Sequence, residues 1–180
     1  ITLNNSDETT YYNGYAAIST ANLILENASS ATGCTEEERA VAIAQAKMLR
    51  AMKYFTLVNY YSHTYNASTA GTDGGVPLIT SAEVGAAYSQ PSVQAIYDFI
   101  LKDVTEALPS LPEKSQNVLY ADKATGDAFA ARVYLQMSNY EEALKYAEAA
   151  LSYNDSLFDW KTFYSQHQSV IDAKDSYQKI

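Results

Sequence analysis

The sequence predicts an all-α fold, and three observations support that prediction. Apolar residues recur at three- and four-residue spacing along most of the chain, which is the period of an amphipathic helix. Alternating strand patterns are almost absent, and only 7 glycines and 4 prolines interrupt the 180 residues. A very short break at Ser138 and Asn139 separates two helical segments, which is typical of an antiparallel helical hairpin. The length suits one domain with an apolar core.

The first two predicted helices are long and well marked. The first covers residues 8–27 and is followed by a small polar turn up to Gly33. The second is Glu36–Tyr61, where Thr35 and Glu38 have the spacing of a capping box and acidic residues occupy the first turn. The buried face of the second helix is predicted to contain Val41, Ala44, Met48, Ala51, Met52, Phe55 and Val58.

Four further helices are predicted after a long irregular segment. The third covers residues 92–108 and is stopped by two prolines. The fourth and fifth, residues 125–137 and Tyr140–Tyr153, form the hairpin, and a weaker sixth helix covers Trp160–Gln166. We expect the second helix and residues 124–153 to pack as layers of one helical scaffold.

Residues 63–91 form the irregular segment, which contains four glycines and two prolines and has no helical period. A short extended piece is predicted at residues 76–80. Because long connections without regular structure are uncommon inside compact domains and are often functional, a binding site is expected here first.

Composition and charge exclude several classes of function. The net charge of −9 comes from 21 acidic and 12 basic residues, and the basic residues form no cluster that would bind nucleic acid. The single cysteine, Cys34, excludes an internal disulfide framework and a cysteine-based zinc site. The two histidines lie far apart in the sequence, so neither a metal site nor a cofactor is predicted. No segment approaches the ~20 apolar residues that a membrane span requires.

The sequence also argues against an enzyme. The acidic runs at residues 36–38 and 141–142 lie at helix starts, and adjacent helical residues point in different directions, so neither run forms a general acid–base pair. Nucleophile-elbow, phosphate-loop and zinc-protease motifs are absent from the sequence.

The predicted hairpin resembles a tetratricopeptide unit. Its small and aromatic residues follow the spacing of that repeat, with Ser138 at the usual turn glycine: Ala131, Tyr134, Tyr140, Ala143 and Ala150. Small residues allow two helices to approach closely, and the aromatic rings fill the space beside them.

Four stretches of sequence, taken in order, carry a more specific resemblance. The first runs from Tyr15 through Asn22 to Glu26, and the second leads from Glu38 to Leu49-Arg50-Ala51 and Val58. The others are Gly75-Val76-Pro77-Leu78-Ile79 with Ser92 to Tyr97, and Ala130 to Leu135. In this order they resemble the N-terminal half of the SusD/RagB-type outer-membrane proteins of the Bacteroidetes, over nearly the whole chain.

This resemblance implies a fold, a function and a location. The fold is a tetratricopeptide-like helical scaffold, and residues 1–180 correspond to the N-terminal helical domain, with the C-terminal half of the usual length absent. Members are non-catalytic lipoproteins on the outer face of the outer membrane, and they capture glycans, or in some cases peptides, for nutrient uptake. They pass the ligand to a SusC-like TonB-dependent transporter. We expect the lipid-bearing cysteine of the family to be missing from these 180 residues, since no signal precedes Cys34 and it cannot take that role.

In this family the loop after the long helix supplies several ligand contacts, which directs attention to residues 63–91. A sugar site needs an aromatic platform surrounded by hydrogen-bonding side chains. The candidate ligand-binding residues are His63, Tyr65, Asn66, Asp73 and Tyr88. Ligand contacts are expected from this loop and not from the concave helical faces.

Two further expectations complete the interpretation. The alternative function is a generic tetratricopeptide-type module that binds a protein or peptide in its concave face, with basic partners favoured by the acidic surface.

Arg50 and Arg132 both lie within apolar helix stripes. Because an unpaired buried arginine is very costly, at least one of them is expected to be buried and paired.

Overall fold

Six α-helices make up the described part of the chain, and the all-α prediction is confirmed. The computed structural model describes residues 5–83, 85 and 88–166. The helices are α1 (Asn5–Asn27), α2 (Glu36–Tyr61), α3 (Val93–Ala107), α4 (Lys123–Gln136), α5 (Tyr140–Tyr153) and α6 (Trp160–Gln166). Within the described residues there is no strand, and pairing is limited to two isolated antiparallel bridges, Gly74 with Ser92 and Leu78 with Ser89.

Capping side chains determine where the helices begin. The predicted capping box is present: the Glu38 amide donates to Thr35 Oγ1 at 3.1 Å, and the Thr35 amide donates to Glu38 Oε2 at 2.8 Å. Ser92, placed inside the third helix by the sequence, is its N-cap instead. α4 starts two residues before the predicted position because Asp122 accepts a hydrogen bond from the Thr125 amide at 2.9 Å.

α2 is the central helix, packed between α1 and α3. α1 approaches it closely at Gly14, where an added Cβ would lie 3.0 Å from Leu57 Cδ2. The core side chains that are almost fully removed from solvent are Ile18, Met48, Tyr54, Leu57, Val58, Ile96, Tyr97, Ile100, Val104 and Val133. The apolar stripe predicted for α2 therefore faces the core of the protein.

The α4–α5 hairpin packs mainly on itself and joins the scaffold through aromatic contacts. The Tyr134 and Tyr146 rings stack with centroids 5.4 Å apart, and Phe129 of α4 meets Phe55 of α2 edge-on at 5.5 Å. Ser138 in the turn has a φ of 59°, the left-handed conformation that the glycine of a tetratricopeptide turn adopts. The tetratricopeptide-like scaffold and the layered packing of α2 with the hairpin are confirmed.

Candidate functional site

The loop that follows α2 opens with a turn held by its own polar side chains. Asn66 Oδ1 accepts hydrogen bonds from the Ser68 amide at 3.0 Å and the Ser68 hydroxyl at 2.7 Å. Thr69 Oγ1 donates to Asp73 Oδ2 at 2.6 Å, and the Asp73 carbonyl accepts from the Val93 amide at 2.9 Å. Asn66 and Asp73 therefore order the loop.

Tyr65 is anchored to α3. Its hydroxyl donates to Gln94 Oε1 at 2.5 Å, and its half-buried ring lies against Tyr97 with centroids 4.9 Å apart. The preceding candidate, His63, has an exposed side chain.

The middle of the loop doubles back on itself as two extended segments, which agrees with the extended piece predicted at residues 76–80. The Gly75 amide donates to the Pro91 carbonyl at 2.7 Å, and the Leu78 amide donates to the Ser89 carbonyl at 2.9 Å. A Cβ at Gly75 would lie only 2.8 Å from the Pro91 carbonyl oxygen. Only glycine allows the two segments to approach this closely at that point.

Side chains of α1 and α2 fix the next stretch, residues 77–82. Tyr15 donates to the Pro77 carbonyl at 2.8 Å. The Tyr54 hydroxyl donates to the Ile79 carbonyl and accepts from the Ile79 amide, both at 2.8 Å. Glu26 Oε1 accepts from the Ala82 amide at 2.9 Å. These side chains satisfy backbone groups that a neighbouring strand would otherwise pair.

A buried polar centre lies beneath this stretch. Arg50 donates to both carboxylate oxygens of Asp103, at 2.7 and 2.8 Å, and to Asn22 Oδ1 at 2.7 Å. Asn22 in turn donates to the Ile79 carbonyl at 3.0 Å. Arg50 and Asp103 are 8% and 1% exposed, so the predicted buried and paired arginine is confirmed. Arg132 is exposed and lies over the Phe55 ring at 5.6 Å.

The stretch of residues 77–82, which α1 and α2 hold in place, forms one wall of a shallow cleft of about 200 Å³. Tyr88 lies at this cleft with 63% of its surface exposed. The cleft is lined by Leu78, Ile79, Thr80, Ser81, Glu83, Gly85 and Tyr88. It offers one exposed aromatic face with hydroxyl and carboxylate groups beside it, which suits a sugar ring.

Burial dominates the titration of the tyrosines around this cleft. Burial raises the pKa of Tyr15, and the neighbouring hydroxyls of Tyr11, Tyr54 and Tyr88 raise it further. Burial also raises the pKa of Tyr54 to about 12. Both phenols are therefore neutral at physiological pH and act as hydrogen-bond donors to the loop.

The five candidate residues do not meet at one point. Asp73 adjoins the Gly74–Ser92 bridge, whereas Tyr88 adjoins the Leu78–Ser89 bridge. The two bridges are four residue steps apart along one segment and three along the other, which corresponds to about 10–13 Å. Tyr88 alone among the five lines the cleft, and ligand contact by any of them stays a prediction.

Sequence reasoning missed the side chains that shape the cleft. Tyr15, Asn22 and Glu26 occur in the stretches that carry the family resemblance, but their contacts with the loop or the buried centre were not anticipated. For Arg50 a buried pair was expected, but its partners Asp103 and Asn22 were not identified. The available signal was the presence of polar residues on the apolar faces of α1 and α2. Asn22 is fully buried in α1, and such a residue needs partners.

Two further features are not found among the described residues. Among them, no group of histidine, cysteine, aspartate and glutamate side chains is arranged to hold a metal ion. No helix in the described part of the chain has both the length and the apolarity needed to cross a membrane.

Comparison with known proteins gives a consistent result. Residues 1–135 match a SusD-like family described as "Starch-binding associating with outer membrane". The SusD-like protein P2 of Formosa agariphila is 29% identical over 163 residues, which are 88% of this chain and 29% of that protein. The chain thus spans under a third of this relative.

Solved structures show the same partial overlap. A SusD-like protein from Bacteroides fragilis is 26% identical with a TM-score of 0.71, over 85% of this chain and 28% of the other. A laminarin-binding SusD-like protein is 25% identical with a TM-score of 0.64, over 77% and 28%. A SusD superfamily protein from Bacteroides vulgatus has a TM-score of 0.78 at 19% identity, over 87% and 37%, and this match shows the fold alone.

Proposed function

Because the chain belongs to the SusD-like family, we propose that it is the N-terminal helical domain of a longer, non-catalytic protein that captures glycans at the outer membrane. The lengths of the relatives support the domain assignment, since the chain spans 28% to 37% of three of them. One structural neighbour is a laminarin-binding SusD-like protein, which supports a glycan as the ligand class.

The observation that carries the proposal is the cleft beside Tyr88. A sugar binds through stacking of its C–H face on an aromatic ring and through hydrogen bonds to its hydroxyls. Tyr88 supplies an exposed ring, and Thr80, Ser81 and Glu83 supply hydrogen-bonding groups. The cleft wall is held by Tyr54 and Asn22, so little order has to be gained on binding.

The partner and the attachment extend the proposal. The family resemblance implies delivery of the glycan to a SusC-like TonB-dependent transporter and a lipid anchor at the cell surface. Co-purification of such a transporter with the protein from outer membranes tests the partnership, and recovery of the protein without a transporter contradicts it.

Calorimetric titration with laminarihexaose and maltohexaose tests glycan capture. Tyr88→Ala is expected to weaken binding by about 2- to 13-fold, since an aromatic contact contributes roughly 0.5–1.5 kcal/mol beyond area burial. The matched control is Tyr140→Ala in α5, which is similarly exposed and lies outside the cleft.

Equal affinities in the wild type and Tyr88→Ala would contradict the assignment of the cleft. A reducing-end assay on the same glycans tests the non-catalytic role, and release of new reducing ends would contradict it. Tyr65→Ala is less informative, because Tyr65 packs against the core and its loss would also lower stability.

The interaction-module alternative is favoured by a separate observation. The α4–α5 hairpin exposes Leu135, Leu144 and Leu151, each about 60% accessible, and these side chains offer an apolar surface to a peptide or protein. A peptide or protein bound there would leave the Tyr88→Ala affinity unchanged and would be weakened by Leu144→Ala.

A further inference from the structure

α2 carries a row of three basic residues at three-residue spacing, and two of them are matched by acids on α3. Lys47 Nζ lies 2.7 Å from Glu106 Oε2, and Arg50 Nε lies 2.7 Å from Asp103 Oδ2. Lys53 continues the row by one more step. In the same antiparallel register, the α3 residue that corresponds to Lys53 is Ile100, which carries no charge.

The part of α1 beside Lys53 also offers it no acid. Residues 9–25 of α1 contain no charged residue, and residues 40–61 of α2 contain bases but no acid. Within the described part of the chain, the ion pairs involve Arg39, Lys47, Arg50, Lys102 and Lys145, and not Lys53. The side chain is half-buried, so solvent ions screen its charge less than that of an exposed lysine.

Lys53 lies in a groove between α1 and α2 with a volume of about 230 Å³. The groove is lined by Thr10, Asn13, Gly14, Lys53, Thr56 and Leu57. At Gly14 the two helices approach closely, since an added Cβ would lie 3.0 Å from Leu57 Cδ2. Tyr60 follows Thr56 by one turn on the same face of α2 and is 73% exposed.

We propose that this groove is a second saccharide subsite, in which Lys53 binds a carboxylate or sulfate group of an acidic sugar. The inference rests on the proposed glycan capture and adds the charge of the ligand. Lys53 supplies the cation, Asn13 adds an amide, and Tyr60 offers an exposed ring one helical turn beyond Thr56. The volume is below the ~300 Å³ of typical ligand pockets, so one sugar residue of a longer chain occupies it.

A positive site of this kind stands out in a chain with a net charge of −9. A carboxylate or sulfate would form a charge-assisted hydrogen bond with the ammonium group, which is stronger than a bond between neutral groups. A neutral sugar would gain no such bond. The groove therefore selects for charge, whereas the Tyr88 cleft requires none.

Binding of three defined probes to the 180-residue chain tests the inference. Trigalacturonate carries carboxylates, a carrageenan tetrasaccharide carries sulfates, and maltotriose is neutral. Lys53→Met keeps the apolar stem and removes the charge. Lys114→Met is the matched control, because Lys114 is exposed, lies outside the groove and loses the same charge.

Lys53→Met is expected to weaken binding of the charged probe by about tenfold, equivalent to 1.4 kcal/mol, and to leave the affinity for maltotriose within about twofold. Lys53→Arg should restore most of the loss, since it returns the charge. Whichever charged probe binds more tightly identifies the anionic group. The wild type should also bind this probe more weakly at high salt.

Equal affinities of Lys53→Met and Lys114→Met for both charged probes overturn the inference. A wild type that binds maltotriose, but neither charged probe, overturns the inference and leaves the proposed function standing. A wild type that binds no glycan at all, neutral or charged, overturns both. Salt-independent affinity for the charged probe, measured without any substitution, also overturns the charge-selective subsite.

Discussion

The region α1–α3 and the region α4–α6 have helices of similar pattern but different burial. α2 buries nine residues, including Arg50, whereas α5 buries only Ala143. The second region exposes large apolar side chains at Leu135, Tyr140, Leu144, Leu151, Leu157 and Trp160. Helical periodicity therefore shows which face of a helix is apolar, and the neighbouring elements decide whether that face becomes core.

The buried polar side chains of the two regions also differ in their hydrogen bonding. In α1–α3 the buried groups Arg50, Asp103 and Asn22 satisfy one another. In α4, the buried Asp127 has its pKa raised, chiefly by burial. The first region thus has a polar network that depends on every member, and its substitutions should have the larger effects.

The largest effect is expected for Asp103→Ala. This change leaves the Arg50 guanidinium buried without its carboxylate, which should lower the free energy of unfolding by about 3–5 kcal/mol. The control is Glu106→Ala, which removes the exposed partner of Lys47 and should cost less than about 1 kcal/mol. Urea unfolding followed by circular dichroism measures both. Similar losses in the two variants would contradict the difference between a buried and an exposed pair.

A pair of leucine truncations compares the two regions directly. Leu57 is fully buried between α1 and α2, and Leu144 is 60% exposed on α5. Leu57→Ala should lower the free energy of unfolding by about 2–5 kcal/mol. Leu144→Ala should lower it by less than about 0.5 kcal/mol. A large loss in Leu144→Ala would mean that the face of α5 is covered in solution, for example by self-association, which sedimentation at several concentrations would detect.

The helices could be predicted from the sequence because their signals are local. Thr35 and Glu38 fix the start of α2, and its predicted bounds match the structure, as do those of α5 and α6. α1 begins at Asn5, before the predicted residue 8, because polar residues at its start carry no apolar period. Local capping and periodicity were sufficient for the rest of the scaffold.

From the sequence, the candidate site could be predicted only as a stretch of the chain, without the contacts that each of its side chains makes. Tyr65 and Tyr88 are the same residue type in the same loop, but Gln94 and Tyr97 of α3 hold Tyr65 and leave Tyr88 exposed. These partners are distant in sequence, and their positions depend on how α3 packs against α2. Periodicity contains no information about which hydroxyl meets which carbonyl.

Stability at high pH tests the buried tyrosines of the first region. Burial raises the pKa of Tyr54 and Tyr97 to about 12, from an ordinary value of 10.0. The fold keeps these phenols neutral, whereas the unfolded chain ionises near pH 10. Their contribution is therefore complete below pH 10 and is lost as the pH rises towards 12.

Between pH 9 and pH 11 this loss should be about 1 kcal/mol for each tyrosine. Tyr97→Phe should therefore lose about 1 kcal/mol less than the wild type over that interval in urea unfolding. Tyr60→Phe, at an exposed position of α2, should follow the wild-type pH dependence. The interpretation fails when Tyr97→Phe and the wild type have parallel stability curves.

The smallest effect, and the only stabilising one, is expected in the second region at Ser138. Its φ of 59° places Cβ close to the following carbonyl, which costs a non-glycine residue roughly 1–2 kcal/mol. Glycine removes this strain but loses more chain entropy on folding, so Ser138→Gly should raise the free energy of unfolding by about 0.5–1 kcal/mol. Ser156→Gly is the control, since Ser156 has no positive φ and its substitution can only add entropy to the unfolded chain. Urea unfolding of both variants measures the difference.

Because α4 and α5 contact chiefly each other, the gain in stability from Ser138→Gly should also appear as slower amide exchange within the hairpin, with exchange in α1–α3 unchanged. Destabilisation by Ser138→Gly would mean that the serine side chain contributes more to the turn than its backbone strain costs.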